Sequence, residues 1–274
     1  MRAETRPIGF FDSGIGGLSI WREVVHRLPH ESTIYVADSA YCPYGSRPLE
    51  EIQARAVSIT RFLLDYDCKL VVVACNTASA AAVELLRARF DLPLVGIEPA
   101  IKPAAQATQT GHIGVLATAG TIQGNLFQNT TRRYANGVQV HLQVGEGLVE
   151  QIEAGQLNSP DTERLLRHYL DPMLAAEADQ IVLGCTHYPL LMPLIQRIVA
   201  GRAQVIDPAQ AVARQVQRVL VEQNDLRAHN SPLDKRVVPS HRFLTTGQPR
   251  TFKFWDGLSA QENEMPISFE PVEL

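Results

Sequence analysis

Residues 69–77, KLVVVACNT, are the clearest sign of the chain's architecture, because five apolar residues lead into a cysteine followed by two polar residues. An apolar run without alternation is typical of a strand covered on both faces, as in parallel sheets wrapped by helices. Residues 179–187, DQIVLGCTH, repeat this pattern and place a second cysteine at the same position. We infer two similar α/β halves, each built around one such unit.

The same alternation of short apolar runs with segments of helical period extends along the chain. Strands are predicted at residues 8–11, 33–37, 70–74, 94–97, 113–117, 138–144, 181–184 and 204–206. Helices are predicted at residues 17–27, 49–65, 78–90, 122–134, 161–176, 189–199 and 209–222. This order predicts the α/β class, with two pseudo-symmetric domains whose mostly parallel sheets are flanked by helices.

Prolines suggest where the chain crosses between the two halves. Breaks are predicted near Pro99 and Pro208. Strand-like segments at residues 241–247 and 267–274 predict a tail that returns to the first half. The first domain is therefore expected to comprise residues 1–98 plus 208–274, and the second residues 99–207.

Composition narrows the classes of function. The chain has 274 residues, of which 45% are hydrophobic and 20% charged, which is typical of globular proteins and excludes a disordered or collagen-like one. A formal net charge of -4 gives no indication of a nucleic-acid or membrane partner. The four cysteines lack CxxC spacing, and no apolar run approaches the ~20 residues of a bilayer span. We expect a cytoplasmic protein.

Polar side chains gather where the predicted strands end, which is where open parallel sheets bind ligands. They are Asp12, Ser13, Asn76, Thr77, Thr118, Thr121, Thr186 and His187, beside Cys75 and Cys185. A thiol that opens a helix meets the positive end of the helix dipole, which predicts a lowered pKa and a thiolate suited to act as nucleophile or base. Free cysteines are also common as small apolar strand ends, but two in matching contexts favour function.

Two turns allow more than one interpretation. Residues 12–17, DSGIGG, could wrap a phosphate, yet they lack the GxGxxG register and the GK[ST] ending. They could instead present Asp12 and Ser13 to a small polar ligand, or simply cap the next helix. Residues 42–46, CPYGS, could offer backbone amides to a carboxylate, or let Tyr44 cover an apolar edge.

A metal or a cofactor is not indicated. Cys185 and His187 with Cys75 or Cys42 would supply sulfur and nitrogen ligands for Zn²⁺, but the paired spacings of zinc sites are absent. The four lysines stand outside any glycine-rich strand end of the kind expected for pyridoxal phosphate. We therefore expect neither a metal nor another cofactor.

Four segments together resemble the signature segments of the glutamate racemase family. They are FDSGIGGLS at residues 11–19, PYG at 43–45, ACNTAS at 74–79 and GCTHYPLL at 184–191; the tail FLTTG at 243–247 resembles the family's closing segment. The resemblance implies a cofactor-independent racemase of the aspartate/glutamate racemase superfamily, with its site in the cleft between two domains. Its product, D-glutamate, would enter peptidoglycan.

The resemblance also implies roles for particular residues. It matches Cys75 and Cys185 to the two catalytic thiols, with Asp12 and His187 assisting. It implies substrate contacts at Asp12, Ser13, Tyr44, Gly45, Asn76, Thr77, Thr118, Thr121, Thr186 and His187. The family's assisting glutamate aligns with Glu150, with Glu146 and Glu153 as alternatives. Gly124 and Phe127 depart from the family's usual serine and tyrosine, and GEGLVE at residues 145–150 replaces its FVPLVE.

Two thiols suit racemisation because the Cα proton must leave one face of the substrate and a proton must return to the other. Two bases that flank Cα can do this, one as thiolate and one as thiol. The resemblance implies that Cys185 deprotonates L-glutamate and Cys75 the D form. Open alternatives are an aspartate racemase on the same scaffold, a non-catalytic binder of a small anion, and a zinc hydrolase. A homodimer also stays open.

Overall fold

Two parallel sheets form the framework of the computed structural model, which describes residues 6–223, 225, 238–249, 251–253 and 266–274. The strands are β1 (Ile8–Asp12), β2 (Thr33–Ala37), β3 (Leu70–Val73), β4 (Leu94–Val95), β5 (His112–Ala117), β6 (Gln139–Val144), β7 (Gln180–Gly184), β8 (Gln204–Ile206), β9 (His241–Thr245), β10 (Thr251–Lys253), β11 (Pro266–Ser268) and β12 (Glu270–Pro271). The helices are α1 (Leu18–Arg27), α2 (Leu49–Asp65), α3 (Asn76–Arg89), α4 (Ile101–Ala107), α5 (Ala119–Gln123), α6 (Asn125–Tyr134), α7 (Leu148–Glu153), α8 (Pro160–Ala175), α9 (Met192–Val199) and α10 (Ala209–Glu222).

Both sheets confirm the predicted α/β class. The larger sheet has the order β12-β9-β2-β1-β3-β4, and the smaller one has the order β6-β5-β7-β8. Every pairing within these two sheets is parallel, whereas β10 and β11 form a separate antiparallel pair. In each sheet two neighbouring central strands, β1 with β3 and β5 with β7, carry the residues of interest at their carboxyl ends.

The continuous apolar strands are buried on both faces, as their composition predicts. Phe10 and Val72 belong to one hydrophobic cluster, whereas their neighbours Phe11 and Val73 belong to a second cluster on the opposite face. All four side chains are fully buried. Helices therefore cover both sides of the larger sheet, and only the strand ends remain for polar residues.

The tail returns to the larger sheet. Strand β9 pairs with β2 and β12 pairs with β9, while α10 packs against α1. The larger sheet thus takes its strands from residues 8–95 and 241–271, and the smaller sheet from residues 112–206. On this basis we propose the domain boundaries near residues 98 and 207.

Several helix predictions need correction. Gly124 has an extended backbone, so the predicted helix at residues 122–134 is two helices, α5 and α6. The predicted helix at residues 189–199 begins as a 3-10 turn, Tyr188–Leu191, before α9. Helices α4 and α7 are not predicted, because seven and six residues carry too little periodicity to be recognised. Among the described residues, no helix has the length and apolar character needed to span a bilayer.

Candidate active site

A small buried cavity lies where the carboxyl ends of the central strands of both sheets meet. Its volume is about 10 Å³, room for about one water molecule. It is lined by Ser13, Pro43, Tyr44, Gly45, Cys75, Asn76, Thr77, Thr118, Val149, Cys185, Thr186 and His187. The structure therefore brings one cysteine from each sheet to the same enclosed space, together with most of the residues singled out in the sequence.

Cys75 follows β3 and caps the first turn of α3, where its sulfur accepts a hydrogen bond of 3.5 Å from the Ala78 amide. The predicted lowering of its pKa is nevertheless wrong. Burial and the negative charge of Asp12 raise the pKa of the Cys75 thiol well above its usual value, and they outweigh the Ala78 amide, which lowers it. Burial and the nearby Asp12 carboxylate therefore favour the neutral form of the Cys75 thiol.

Cys185 has a different neighbour. It follows β7 and leads into the 3-10 turn, so it does not cap an α-helix as Cys75 does. Its sulfur lies 3.9 Å from Nδ1 of His187, which is almost completely buried. Burial alone would lower the pKa of His187, but hydrogen bonds to Cys185, Cys42 and Glu153 and the charge of Asp12 together raise that pKa well above its usual value. A positively charged imidazole beside a sulfur stabilises a thiolate.

Glu153, which the sequence offered only as an alternative, is the carboxylate that contacts His187. Its Oε1 lies 2.8 Å from His187 Nε2 and accepts a 2.9 Å hydrogen bond from the Ile15 amide. Glu150 is exposed and instead lines a neighbouring pocket of about 310 Å³ together with Glu146. Of the two carboxylates, Glu153 is thus the one in contact with His187.

Asp12 lies at the end of β1 and is completely buried. Its two carboxylate oxygens each accept a 2.7 Å hydrogen bond, from the Ser13 and Gly17 amides, and Thr186 Oγ1 lies 3.4 Å from Oδ2. Burial raises the pKa of Asp12, although nearby His187 and the Cys75 thiol counteract this. Asp12 therefore lies behind the cavity wall, bonded to the backbone of its own turn and close to Thr186 of the second half.

Gly14 and Gly16 of the turn at residues 12–17 are explained by close packing against the second half. A Cβ on Gly16 would lie 2.4 Å from His187 Nδ1, and a Cβ on Gly14 would lie 1.9 Å from Glu153 Oε1. A side chain on Gly14 would displace the Glu153 carboxylate, and one on Gly16 would also collide with the backbone nitrogen of His187 at 2.6 Å. The turn is thus the surface against which the His187–Glu153 pair is seated.

Hydroxyl groups connect the two halves on the Cys75 side. Thr118 Oγ1 lies 2.9 Å from Thr77 Oγ1 and 2.9 Å from Thr121 Oγ1. Asn76 is buried, and its side-chain oxygen has no hydrogen-bond partner among the described residues. Because a buried acceptor without a partner is costly, this oxygen indicates a place for a donor from a bound ligand.

Two of the departures from the family pattern, Gly124 and Phe127, lie outside the cavity lining. A Cβ on Gly124 would lie 2.6 Å from Ala80 Cβ, so this glycine permits close packing of α5 and α6 on α3. Phe127 is buried in the apolar cluster that covers the second sheet, together with Ala100 and Val115. Neither residue contacts the space between the thiols.

One group of three potential metal ligands occurs in the part of the chain that the structure describes, namely Cys42, Glu153 and His187. Cys42 Sγ lies 3.7 Å from Glu153 Oε1. The 2.8 Å between His187 Nε2 and Glu153 Oε1 is a hydrogen-bond distance, shorter than the ~3.3 Å that separates two ligands of a tetrahedral Zn²⁺ with bonds of about 2.0 Å. The arrangement is that of a hydrogen-bonded acid–base pair.

Comparison with known proteins shows the family to which the chain is related. Residues 17–216 match the Asp/Glu/Hydantoin racemase family. The chain is 49% identical to a glutamate racemase of Roseiflexus sp. over 90% of this chain and 89% of that protein, and 44% identical to one of Pseudomonas aeruginosa over 97% and 95%.

Solved structures are similar over most of their length. The Escherichia coli glutamate racemase in complex with L-glutamate and the activator UDP-MurNAc-ala has 35% identity and a TM-score of 0.76 over 88% of this chain and 90% of that one. The Francisella tularensis glutamate racemase in complex with D-glutamate has 30% identity and a TM-score of 0.76 over 90% of each chain. With nearly three quarters of its length matched and relatives this close, the chain belongs to the Asp/Glu/Hydantoin racemase family.

Proposed function

We propose that this chain interconverts L- and D-glutamate without a cofactor, with Cys75 and Cys185 as the two groups that exchange protons with Cα. The observation that carries the proposal is that two cysteines from separate sheets line one buried cavity. Relatives with 44–51% identity over most of the chain are glutamate racemases, which supports glutamate as the substrate.

The charged groups around the two thiols support different roles for them, with Cys75 as the proton donor and Cys185 as the base. Cys75 is a neutral thiol beside Asp12, and Cys185 faces an imidazole whose pKa is raised. An acid therefore stands on one side of the cavity, and a group favouring thiolate on the other. This is the state needed to take a proton from L-glutamate at Cys185 and to return one from Cys75.

The walls of the cavity offer partners for the charged groups of an amino acid. The unpartnered Asn76 oxygen can accept a hydrogen bond from the substrate ammonium. Hydroxyls of Ser13, Thr77, Thr118 and Thr186 can donate to a carboxylate and to the charge that develops on it as the Cα proton leaves. Donors held in place in a dry site stabilise such charge more than water does.

The cavity in this structure is too small for the substrate. A volume of about 10 Å³ does not hold glutamate, so the walls from the two halves must separate to admit substrate and close again around it. Closure excludes water and strengthens the electrostatic interactions inside.

The resemblance to the family further supports a role of the product in peptidoglycan synthesis and cell-wall formation. A cytoplasmic location and a homodimer stay predictions.

The test is proton NMR of L-glutamate in D₂O with purified protein and no added cofactor. We expect the Cα proton signal to disappear as D-glutamate forms, with much slower exchange of L-aspartate at equal concentration and no effect of a chelator. A binding protein would leave the Cα proton in place, and a zinc enzyme would lose activity with the chelator.

Cysteine variants test the two-thiol mechanism. Cys75→Ser and Cys185→Ser are each expected to lower kcat/KM for racemisation by about 10²–10⁴-fold, the usual contribution of a general acid or base. Cys68→Ala is the matched control, because Cys68 is also buried but precedes β3, at the opposite end of that strand from Cys75. Near-normal turnover by either serine variant contradicts the mechanism.

A further inference from the structure

Asp38 is a fully buried carboxylate that the mechanism above does not use. It follows β2 and accepts hydrogen bonds from three side chains that are distant from one another in the sequence. Tyr44 Oη donates to Oδ2 at 2.5 Å, Arg55 donates from Nε and Nη2 at 2.9 and 2.8 Å, and Thr246 Oγ1 donates to Oδ1 at 2.8 Å. A buried charge needs such partners, so Asp38 holds all three in one place.

Tyr44 connects this carboxylate to the cavity. Its ring is buried and lines the space between the thiols, while its hydroxyl points away to Asp38. The next residue, Gly45, lies so close to the second half that a Cβ there would be 3.0 Å from Thr118 Cβ. The position of the turn at residues 43–45 therefore sets the wall that closes the cavity beside Cys75.

Thr246 connects the same carboxylate to the closing segment, residues 243–247. Strand β9 brings this segment alongside β2, and the Thr246 amide donates to Ala37 O at 3.1 Å. Its hydroxyl also accepts a 3.2 Å hydrogen bond from the Ala40 amide. No residue of the closing segment lines the cavity. Contact with substrate therefore does not explain the presence of this segment.

Arg55 is the third side chain that donates to Asp38. It reaches Asp38 from α2 with two nitrogens, and its guanidinium lies over the Tyr41 ring at 4.1 Å. Two hydrogen bonds and a stacked ring orient the guanidinium in one way. Asp38 is thereby held in position from α2, and Tyr44 and Thr246 are positioned relative to it.

We propose that Asp38 is a positioning residue for racemisation, and that Thr246 makes the closing segment part of the same support. Through the Tyr44 hydroxyl, Asp38 sets the turn at residues 43–45 against Thr118 and so fixes the cavity around Cα of the substrate. This inference rests on the proposed function. A displacement of about 1 Å near reacting atoms lowers rates by up to about 10²-fold, so loss of one hydroxyl in this network is expected to affect turnover.

The test uses Tyr44→Phe and Thr246→Val, each of which removes one hydroxyl and nearly preserves shape. Both are expected to lower kcat/KM for glutamate by about 10- to 100-fold, mainly through kcat. Thr246→Ser keeps the hydroxyl and is expected to restore activity. Because both changes act through Asp38, the double variant is expected to lose less than the product of the two single losses.

Matched controls separate positioning from stability. Thr60→Val removes a buried hydroxyl on α2 that bonds only Ala56 O in the described structure, and Tyr169→Phe removes one that bonds Glu146 O. All variants are assayed well below their unfolding midpoints, and the controls are expected to turn over normally. If the unsubstituted chain racemises glutamate and Tyr44→Phe and Thr246→Val match these controls, the inference is wrong and the proposed function stands. If the unsubstituted chain does not racemise glutamate, both are wrong.

Discussion

Replacing Glu153 by glutamine tests which carboxylate assists the Cys185 side of the site. Glu153→Gln removes the negative charge that lies 2.8 Å from His187 Nε2, while the amide oxygen can still accept from the Ile15 amide. A hydrogen bond between charged groups contributes about 1.5–3 kcal/mol. If this free energy is lost in the transition state, kcat/KM falls by about 10- to 150-fold. Glu150→Gln is the matched control, because Glu150 is on the same helix but exposed.

The same substitution is expected to change the pH dependence. Glu153 is one of the groups that raise the pKa of His187, so its replacement by a neutral amide lowers that pKa. If the protonated imidazole stabilises the Cys185 thiolate, the active form is then lost at lower pH. The alkaline limb of kcat/KM against pH therefore moves toward neutrality in Glu153→Gln and stays in place in Glu150→Gln.

Circular dichroism of glutamate, followed in both directions and over a range of pH, measures these quantities. L- and D-glutamate have equal free energies, so kcat/KM must change by the same factor in both directions, which provides an internal check. The assignment fails if Glu150→Gln loses as much activity as Glu153→Gln, or if the alkaline limb of the Glu153→Gln profile does not move.

Two further substitutions test the packing. Gly16→Ala places a Cβ 2.4 Å from His187 Nδ1 and 2.6 Å from its backbone nitrogen, so we expect kcat/KM to fall at least ~10-fold as the imidazole is displaced; unchanged kinetics contradict the seating of His187 on this turn. Lys69→Met leaves Glu31 in the core without the ammonium that lies 2.7 Å from it, so urea denaturation should show a loss of about 3–5 kcal/mol. Because Lys69 precedes β3, at the end opposite Cys75, KM should not change; a raised KM contradicts this separation.

The strands could be predicted because their signal is local. Runs such as LVVV at residues 70–73 are buried on both faces, and no distant residue is needed to recognise them. The helix errors have equally local causes. Gly124 adopts an extended backbone where α5 and α6 separate, and α7 has only six residues, so its period is not visible in the sequence.

Which carboxylate contacts His187 depends on tertiary packing. In α7 the buried residues are Leu148, Val149 and Ile152. Glu153 lies four residues after Val149 and so shares its side of the helix, at the margin of the buried face, whereas Glu150 points outward. This spacing was visible in the sequence, but only the fold shows that the buried face is directed toward His187.

The error in the predicted pKa of Cys75 also has its cause in tertiary packing. The helix terminus is present, and the Ala78 amide does favour the thiolate. A helix dipole contributes about 0.3–1 kcal/mol, whereas complete burial can shift a pKa by up to about 3–5 units, or several kcal/mol. Burial and the placement of Asp12 therefore decide the outcome, and both are properties of the assembled fold.

The contacts that influence the charges of His187 and Asp12 cross between the two halves of the chain. Glu153 accepts from the Ile15 amide, and Thr186 lies against Asp12, so each proton-transfer group is influenced through a residue seated on the opposite half. The pKa of His187 shows the consequence, because two of the groups that raise it, Cys42 and Asp12, belong to the first half of the chain. A substitution that weakens the packing between the halves is therefore expected to lower the pKa of His187, even where it leaves Cys185 and Glu153 unchanged.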